Sequence, residues 1–198
     1  MLTFTLFLSL WARILMPLLH LFGNGSVHAT STPSSSATTE SAILEQVTWS
    51  EKRPLAWADF KGQPDDANPH HALTAANLAV DASCKNNQFS YDVKCVFLPH
   101  ASWTKNNASD ILLAHEQLHF DLTEVHARML RKDLKQLDCS GVKADLKPLV
   151  SRAFQDWKAE QRKFDEDCQH GLDKEKQQEW SAAISKRLIQ LQAYRIEK

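Results

Sequence analysis

Ile111-Leu112-Leu113-Ala114-His115-Glu116-Gln117-Leu118-His119-Phe120-Asp121 is the stretch whose reading decides the fold. Around it Ile111, Leu112, Leu118, Leu122, Val125, Met129, Leu130, Leu134 and Leu137 recur at helical spacing. The pattern predicts a long helix from near Ser109-Asp110 to about Gln136 or Leu137, broken by Cys139-Ser140-Gly141. His115 and His119 lie one turn apart on one face of it, about 6 Å along the axis. They share a stripe with Leu112, Leu122 and Met129, so they face inward. Two inward imidazoles without partners would be costly polar burial. A shared metal ion removes that cost, and zinc suits neutral imidazole. Carboxylate or carbonyl partners for two ordinary core histidines are the alternative. Glu116 points about 100° around the helix from His115, beside such a metal and not on it, where a general base belongs. His-Glu-x-x-His has only three fixed residues, so its context must carry the reading.

Downstream, Leu146, Leu149, Val150, Ala153, Phe154, Trp157 and Phe164 mark a second helix over about 145–164, with Pro148 in its first turn. A third, over about 174–194, carries Trp180, Ala183, Ile184, Leu188 and Leu191. From His119 to the end of the first helix is about 27 Å, and the second helix is about 30 Å long. A short turn makes the two antiparallel and returns the linker 165–171 to the level of the motif. Zinc needs a third protein ligand, and His170 arrives there, followed by Gly171. Asp121 and Glu124 point away from His115 and are expected to hold other elements. His126 is on the correct face but about 10 Å beyond His119, which assigns it to the core or a cleft.

Upstream the pattern is β-like. Phe89, Tyr91, Val93, Cys95 and Phe97 alternate with Ser90, Asp92 and Lys94, a half-buried strand. Leu73–Ser83 alternates weakly, with Lys85–Gln88 as the hairpin loop, and 46–50 is a further short strand. His70 and His71 lie in a polar loop and read as solvated. The expected architecture is α+β: a small antiparallel sheet in the N-terminal half packed on a three-helix C-terminal half that carries the motif.

Residues 1–29 are apolar and end in Val27-His28-Ala29, the pattern of a signal peptide cleaved after Ala29. A retained anchor is the rival, although Arg13, Pro17 and His20 interrupt any span. Residues 30–42, rich in Ser, Thr, Ala and Pro, read as a disordered tether, leaving 43–198 as one domain. That domain is expected to be periplasmic or secreted, with no membrane span of its own. A net charge of −1 gives nucleic-acid binding no electrostatic support. Only five glycines are present, and no phosphate-cradling loop. Four cysteines in an exported chain invite two disulfides. Cys84 and Cys95 fall too far apart along a hairpin, and Cys139 and Cys168 flank a long helix. Cys84–Cys139 with Cys95–Cys168, or the crossed set, remain, and the former is expected.

These pieces resemble a family. Trp57-Ala58-Asp59-Phe60-Lys61-Gly62, Ser102-Trp103, the 112–121 string, Ala127-Arg128, and Asp165 to Gly171 followed by Gln177 and Trp180 are similar to bacterial proteins of domain of unknown function 922, described as predicted secreted zinc-dependent proteases. Phe164 and Cys168 replace a tyrosine and a threonine of that pattern. Taken with the residues, the resemblance implies a secreted or periplasmic zinc hydrolase of peptide bonds. His115, His119 and His170 would be its zinc ligands, Glu116 its general base, and a peptide or protein its substrate. An envelope binding or scaffold protein with a structural or vestigial metal site is the alternative.

Overall fold

The computed structural model describes residues 45–64 and 66–196, so the leader and tether lie outside the described residues. Strands β1 (Val47–Thr48), β2 (Ala72–Leu73), β3 (Ala76–Lys85), β4 (Gln88–Phe97) and β5 (Trp103–Thr104) precede three helices. The helices are α1 (Asp110–Leu134), α2 (Val142–Asp167) and α3 (Lys174–Gln190). The architecture is the α+β arrangement expected. β3 and β4 form a hairpin in the register Lys85↔Gln88, Val80↔Val93, Leu78↔Cys95. Its two-residue turn places Asn86 and Asn87 at φ 51° and 61°, the left-handed pair that matches strand twist, and asparagine tolerates that region. β1 pairs with the far edge of β4, giving the antiparallel order β1–β4–β3, and β2 and β5 make a separate ribbon.

Helix α1 starts where Ser109 caps it, the hydroxyl accepting the Leu112 amide at 3.2 Å. It has two apolar faces. Phe120, Ala127, Leu130 and Leu134 pack on Leu78, Val93, Cys95 and Phe97 of the sheet. Leu118, Leu122 and Val125 pack on Phe164, Cys168 and Ile184 of the other helical layer. A helix covered on two sides needs apolar residues on both, so a single inward stripe is too narrow a description of it. Met129, placed on that stripe, is 38% exposed. Ionic ties brace a further side of the helix. The buried Glu124 carboxylate takes Arg128 Nε and Arg131 Nη1, each at 2.9 Å, and Arg131 Nε reaches the Val93 carbonyl at 2.8 Å.

Helix α2 returns antiparallel and is longer than its apolar stripe suggested. It starts at Val142, so Pro148 lies inside it and leaves the Ala144 carbonyl without its usual amide. It runs on to Asp167, which puts Asp165 on a helix and not in a linker. Cys84 and Cys139 form a disulfide that joins the end of β3 to the α1–α2 turn, with a Cα–Cα distance of 5.8 Å. The expected Cys95–Cys168 bridge is absent, and both thiols are free and buried. The reason is topological: Cys95 belongs to the sheet-side core and Cys168 to the helix-side core, with α1 between them. Among the described residues no helix is long and apolar enough to cross a membrane.

Candidate metal centre

Three side chains meet where α1 and the end of α2 cross. His115 Nε2 lies 3.1 Å and His119 Nε2 2.9 Å from the same oxygen, Oδ1 of Asp165. These three ligand atoms all lie within 4.8 Å of one another. His170 follows in the turn after α2 and brings Nδ1 to 3.5 Å from that oxygen. The three histidines singled out by the sequence are therefore grouped around one atom, His115 and His119 buried or nearly so and His170 half exposed. The turn that presents His170 is left-handed throughout, with Gln169 at φ 49°, His170 at 55° and Gly171 at 87°. Gly171 is required there. A Cβ on it would sit 3.2 Å from His115 Cγ, and the ring is backed by Phe164, stacked at 4.6 Å.

Asp165, which the sequence expectation leaves in a linker, completes the group that could hold a metal ion. A signal was present: Trp157, Gln161, Phe164, Asp165 and Cys168 fall at i, i+4, i+7, i+8 and i+11, so two polar residues lie on the apolar stripe of α2. Gln161 has its own task. Its Nε2 donates to the His119 carbonyl at 2.9 Å and to Thr123 Oγ1 at 3.0 Å. That fixes its Oε1 as the acceptor of the His119 Nδ1–H, at 2.6 Å.

The donor set fits a cation. Neutral His119 spends its one ring proton on Gln161, so its Nε2 presents a lone pair to the Asp165 oxygen. Two lone pairs at 2.9 Å require a proton or a metal ion between them. Tetrahedral zinc bonds of about 2.0–2.1 Å imply ligand atoms about 3.3 Å apart; the two contacts to Asp165, at 3.1 and 2.9 Å, are near that spacing, and the whole group lies within 4.8 Å. With a proton in place of a metal, the same contacts become hydrogen bonds from the imidazoles to Asp165. Burial pulls the His119 imidazole down, but the Asp165 carboxylate outweighs it and leaves the ring above its ordinary value. His115 stays below its ordinary value, because its burial dominates. Burial raises Asp165, yet hydrogen bonds from the two imidazoles carry it far below the usual carboxylate range. A metal ion would exploit the same field.

Glu116 is 3% exposed, acts electrostatically on both histidines, and its Oε2 has no hydrogen-bond partner among the described residues. Its backbone carbonyl accepts the Thr74 hydroxyl at 3.2 Å, which ties the segment after β2 to the motif. His70, expected to be solvated, packs at a tilt against His170 with ring centroids 4.3 Å apart and reaches the rim of the site. His126 points elsewhere, with Nε2 2.7 Å from Glu160.

The other residues of the motif brace it. Asp121 Oδ1 accepts Trp49 Nε1 and Gln117 Nε2, both at 2.7 Å, and Gln117 Oε1 accepts the Leu55 amide at 2.6 Å. The back of the helix thus holds the segment that carries β1. In the Trp57-to-Gly62 string, Asp59 accepts the Ala56 amide and pairs with Arg53. Phe60 packs between Trp57 and Phe97. A Cβ on Gly62 would meet the Ser102 carbonyl oxygen at 2.8 Å. That string is scaffold.

The family described as "Bacterial protein of unknown function (DUF922)" matches residues 52–171, more than half of the chain, and the chain belongs to it. The matched span contains Glu116, both motif histidines, Asp165 and His170, and ends at Gly171. No curated protein and no solved structure matches the chain.

Proposed function

We propose that this member of the DUF922 family is an exported zinc-dependent hydrolase of peptide bonds. The observation that carries the proposal is the meeting of His115 Nε2, His119 Nε2 and Asp165 Oδ1 within 4.8 Å, beside a buried Glu116 with an unpartnered oxygen. His115, His119 and Asp165 would hold the zinc, with His170 in reach as a further donor. Bound zinc polarises a scissile carbonyl and lowers the pKa of water toward neutrality. Glu116 takes the proton of the attacking water as the new C–O bond forms, and delivers it to the amine as the C–N bond breaks. Gln161 keeps the His119 proton on Nδ1, so Nε2 faces the cluster as a lone pair. Phe164 stacks on His115 and meets His119 edge-on, which excludes water from the inner side. The Cys84–Cys139 disulfide supports an oxidising compartment outside the cytoplasm, in keeping with the leader-like residues 1–29.

One observation favours a second reading. His170 Nδ1 stands only 3.5 Å from the shared oxygen. Four protein donors on one zinc leave no open position and make a structural site of an envelope scaffold. Zinc-loaded protein offered a mixed peptide library separates the two. The hydrolase reading expects cleavage that disappears in Glu116→Gln while zinc is retained. No cleavage, with His170→Ala weakening zinc as much as His119→Ala does, would establish the structural site instead.

A further inference from the structure

The two arginines that share Glu124 border a cavity of about 340 Å³ that the metal centre does not use. Both are buried, Arg128 at 4% exposure and Arg131 at 6%. They also clamp the end of the chain to α1. Arg128 Nη1 donates to the Leu188 carbonyl at 2.6 Å, and Arg131 Nη1 to the Tyr194 carbonyl at 3.0 Å. The second clamp sets the following residues, Arg195 and Ile196, on the wall of the cavity with Trp49 and Lys52.

The donors there are not all used. Arg128 commits Nε to Glu124 and Nη1 to Leu188, which leaves Nη2 without a hydrogen-bond partner among the described residues. That nitrogen is not sealed in the interior, unlike the unpartnered atoms of Trp57, His115, Glu116 and Gln177. The guanidinium lies over the Trp49 ring, 5.2 Å from its centroid, which holds the fork from one side. Charge is also out of balance. Four cationic side chains, Lys52, Arg128, Arg131 and Arg195, border the cavity against two carboxylates, Glu51 and Glu124. Glu124 is already taken by both buried arginines. Asp121, one turn earlier on α1, is engaged by Trp49 and Gln117 and does not border the cavity. A buried guanidinium short of acceptors is costly, and an anion supplies what is missing. The volume lies at the lower end of the range for small-molecule sites, and Trp49 and Ile196 give it apolar wall.

We propose that this cavity binds a small organic acid, whose carboxylate pairs with Arg128 Nη2 under the field of Arg195 and Lys52 while its apolar body rests on Trp49 and Ile196. None of the lining residues is a candidate metal ligand, so the proposal stands apart from the hydrolase reading.

The test uses the full chain, labelled with nitrogen-15, and phenylacetate as the probe. Phenylacetate is expected to shift the indole N–H signal of Trp49, assigned by its loss in Trp49→Phe, and to saturate at millimolar concentration. Phenylacetamide, of the same shape without the charge, should bind about tenfold or more weaker. Arg128→Lys keeps the charge but removes Nη2, and should weaken phenylacetate by about tenfold. Arg195→Gln, at an exposed position that leaves the fold alone, should weaken it by about two- to fivefold. A Trp49 signal indifferent to millimolar phenylacetate overturns the proposal. Equal binding of phenylacetamide does so as well, and so does affinity unchanged in both arginine variants. Inorganic phosphate acting at lower concentration than phenylacetate would overturn the organic-acid class. Binding that appears only in Glu197→Gln would make the chain's own Glu197, which follows Ile196 and lies outside the described residues, the occupant instead.

Discussion

Replacing Gly171 by alanine should damage the site through a single methyl group. The methyl would lie 3.2 Å from Cγ and 3.3 Å from Cβ of His115, inside the 3.5–4.0 Å of ordinary carbon contacts. Relief by moving the ring is blocked, because Phe164 stacks behind it at 4.6 Å and His119 meets it edge-on at 4.8 Å. The turn must give instead, and it is already left-handed over 169–171. A Cβ in that conformation costs about 1–2 kcal/mol. For a chain of this size each kcal/mol lowers Tm by about 2–4 °C, so a fall of about 2–8 °C is expected by thermal melting. Because the same turn carries His170 and presses on His115, zinc affinity should drop by about tenfold, as for other changes just outside a ligand set. Melting and chelator competition on one protein preparation measure both. A Gly171→Ala protein that melts with the wild type and binds zinc equally well would refute the packing argument.

Other consequences are open to measurement. Glu116→Gln should keep zinc and slow peptide hydrolysis by about 10²–10⁴-fold in a steady-state assay, the usual worth of a general base. Removing the disulfide with Cys84→Ala and Cys139→Ala opens a loop of sequence separation 55 and should cost up to about 4 kcal/mol in urea unfolding. Cys95 and Cys168 should resist thiol reagents until the protein unfolds, when both react; native labelling would contradict their burial. Burial raises the Glu160 carboxyl, but hydrogen bonds from His126 and Arg187 win and hold it at about 2. Its ionised form therefore stabilises the fold above pH 4.5, and that stabilisation is lost as pH falls from 4.5 to about 2. The contribution is at most about 3 kcal/mol, and Glu160→Gln should flatten the acid limb of a stability-versus-pH curve.

Much of this was legible in the chain because periodicity reports burial on one face. The β3–β4 hairpin, the long motif helix and the antiparallel return of α2 follow from alternation and helical spacing. The same length argument placed His170 near the motif and excluded local disulfides, leaving Cys84–Cys139 among the pairings. What periodicity cannot report is a helix end that runs past its apolar stripe. A linker is expected at Asp165 for that reason, although Gln161 one turn before it marks the same face as polar and half-buried. Met129 failed differently, since a helix with two covered faces leaves its exposed strip where a one-face wheel predicts burial. Cys95 and Cys168 needed the layer order of the fold, which no spacing encodes. The tilted contact of His70 with His170 joins a loop to a turn about a hundred positions later, beyond any local pattern.

The most direct measurement is zinc stoichiometry and affinity on the purified full chain, with His119→Ala and Asp165→Ala alongside. The account predicts one zinc per chain at neutral pH, bound at least a hundredfold more weakly when either ligand is removed, with the fold intact. A folded wild type that binds no zinc, or one whose zinc is indifferent to both changes, would contradict it.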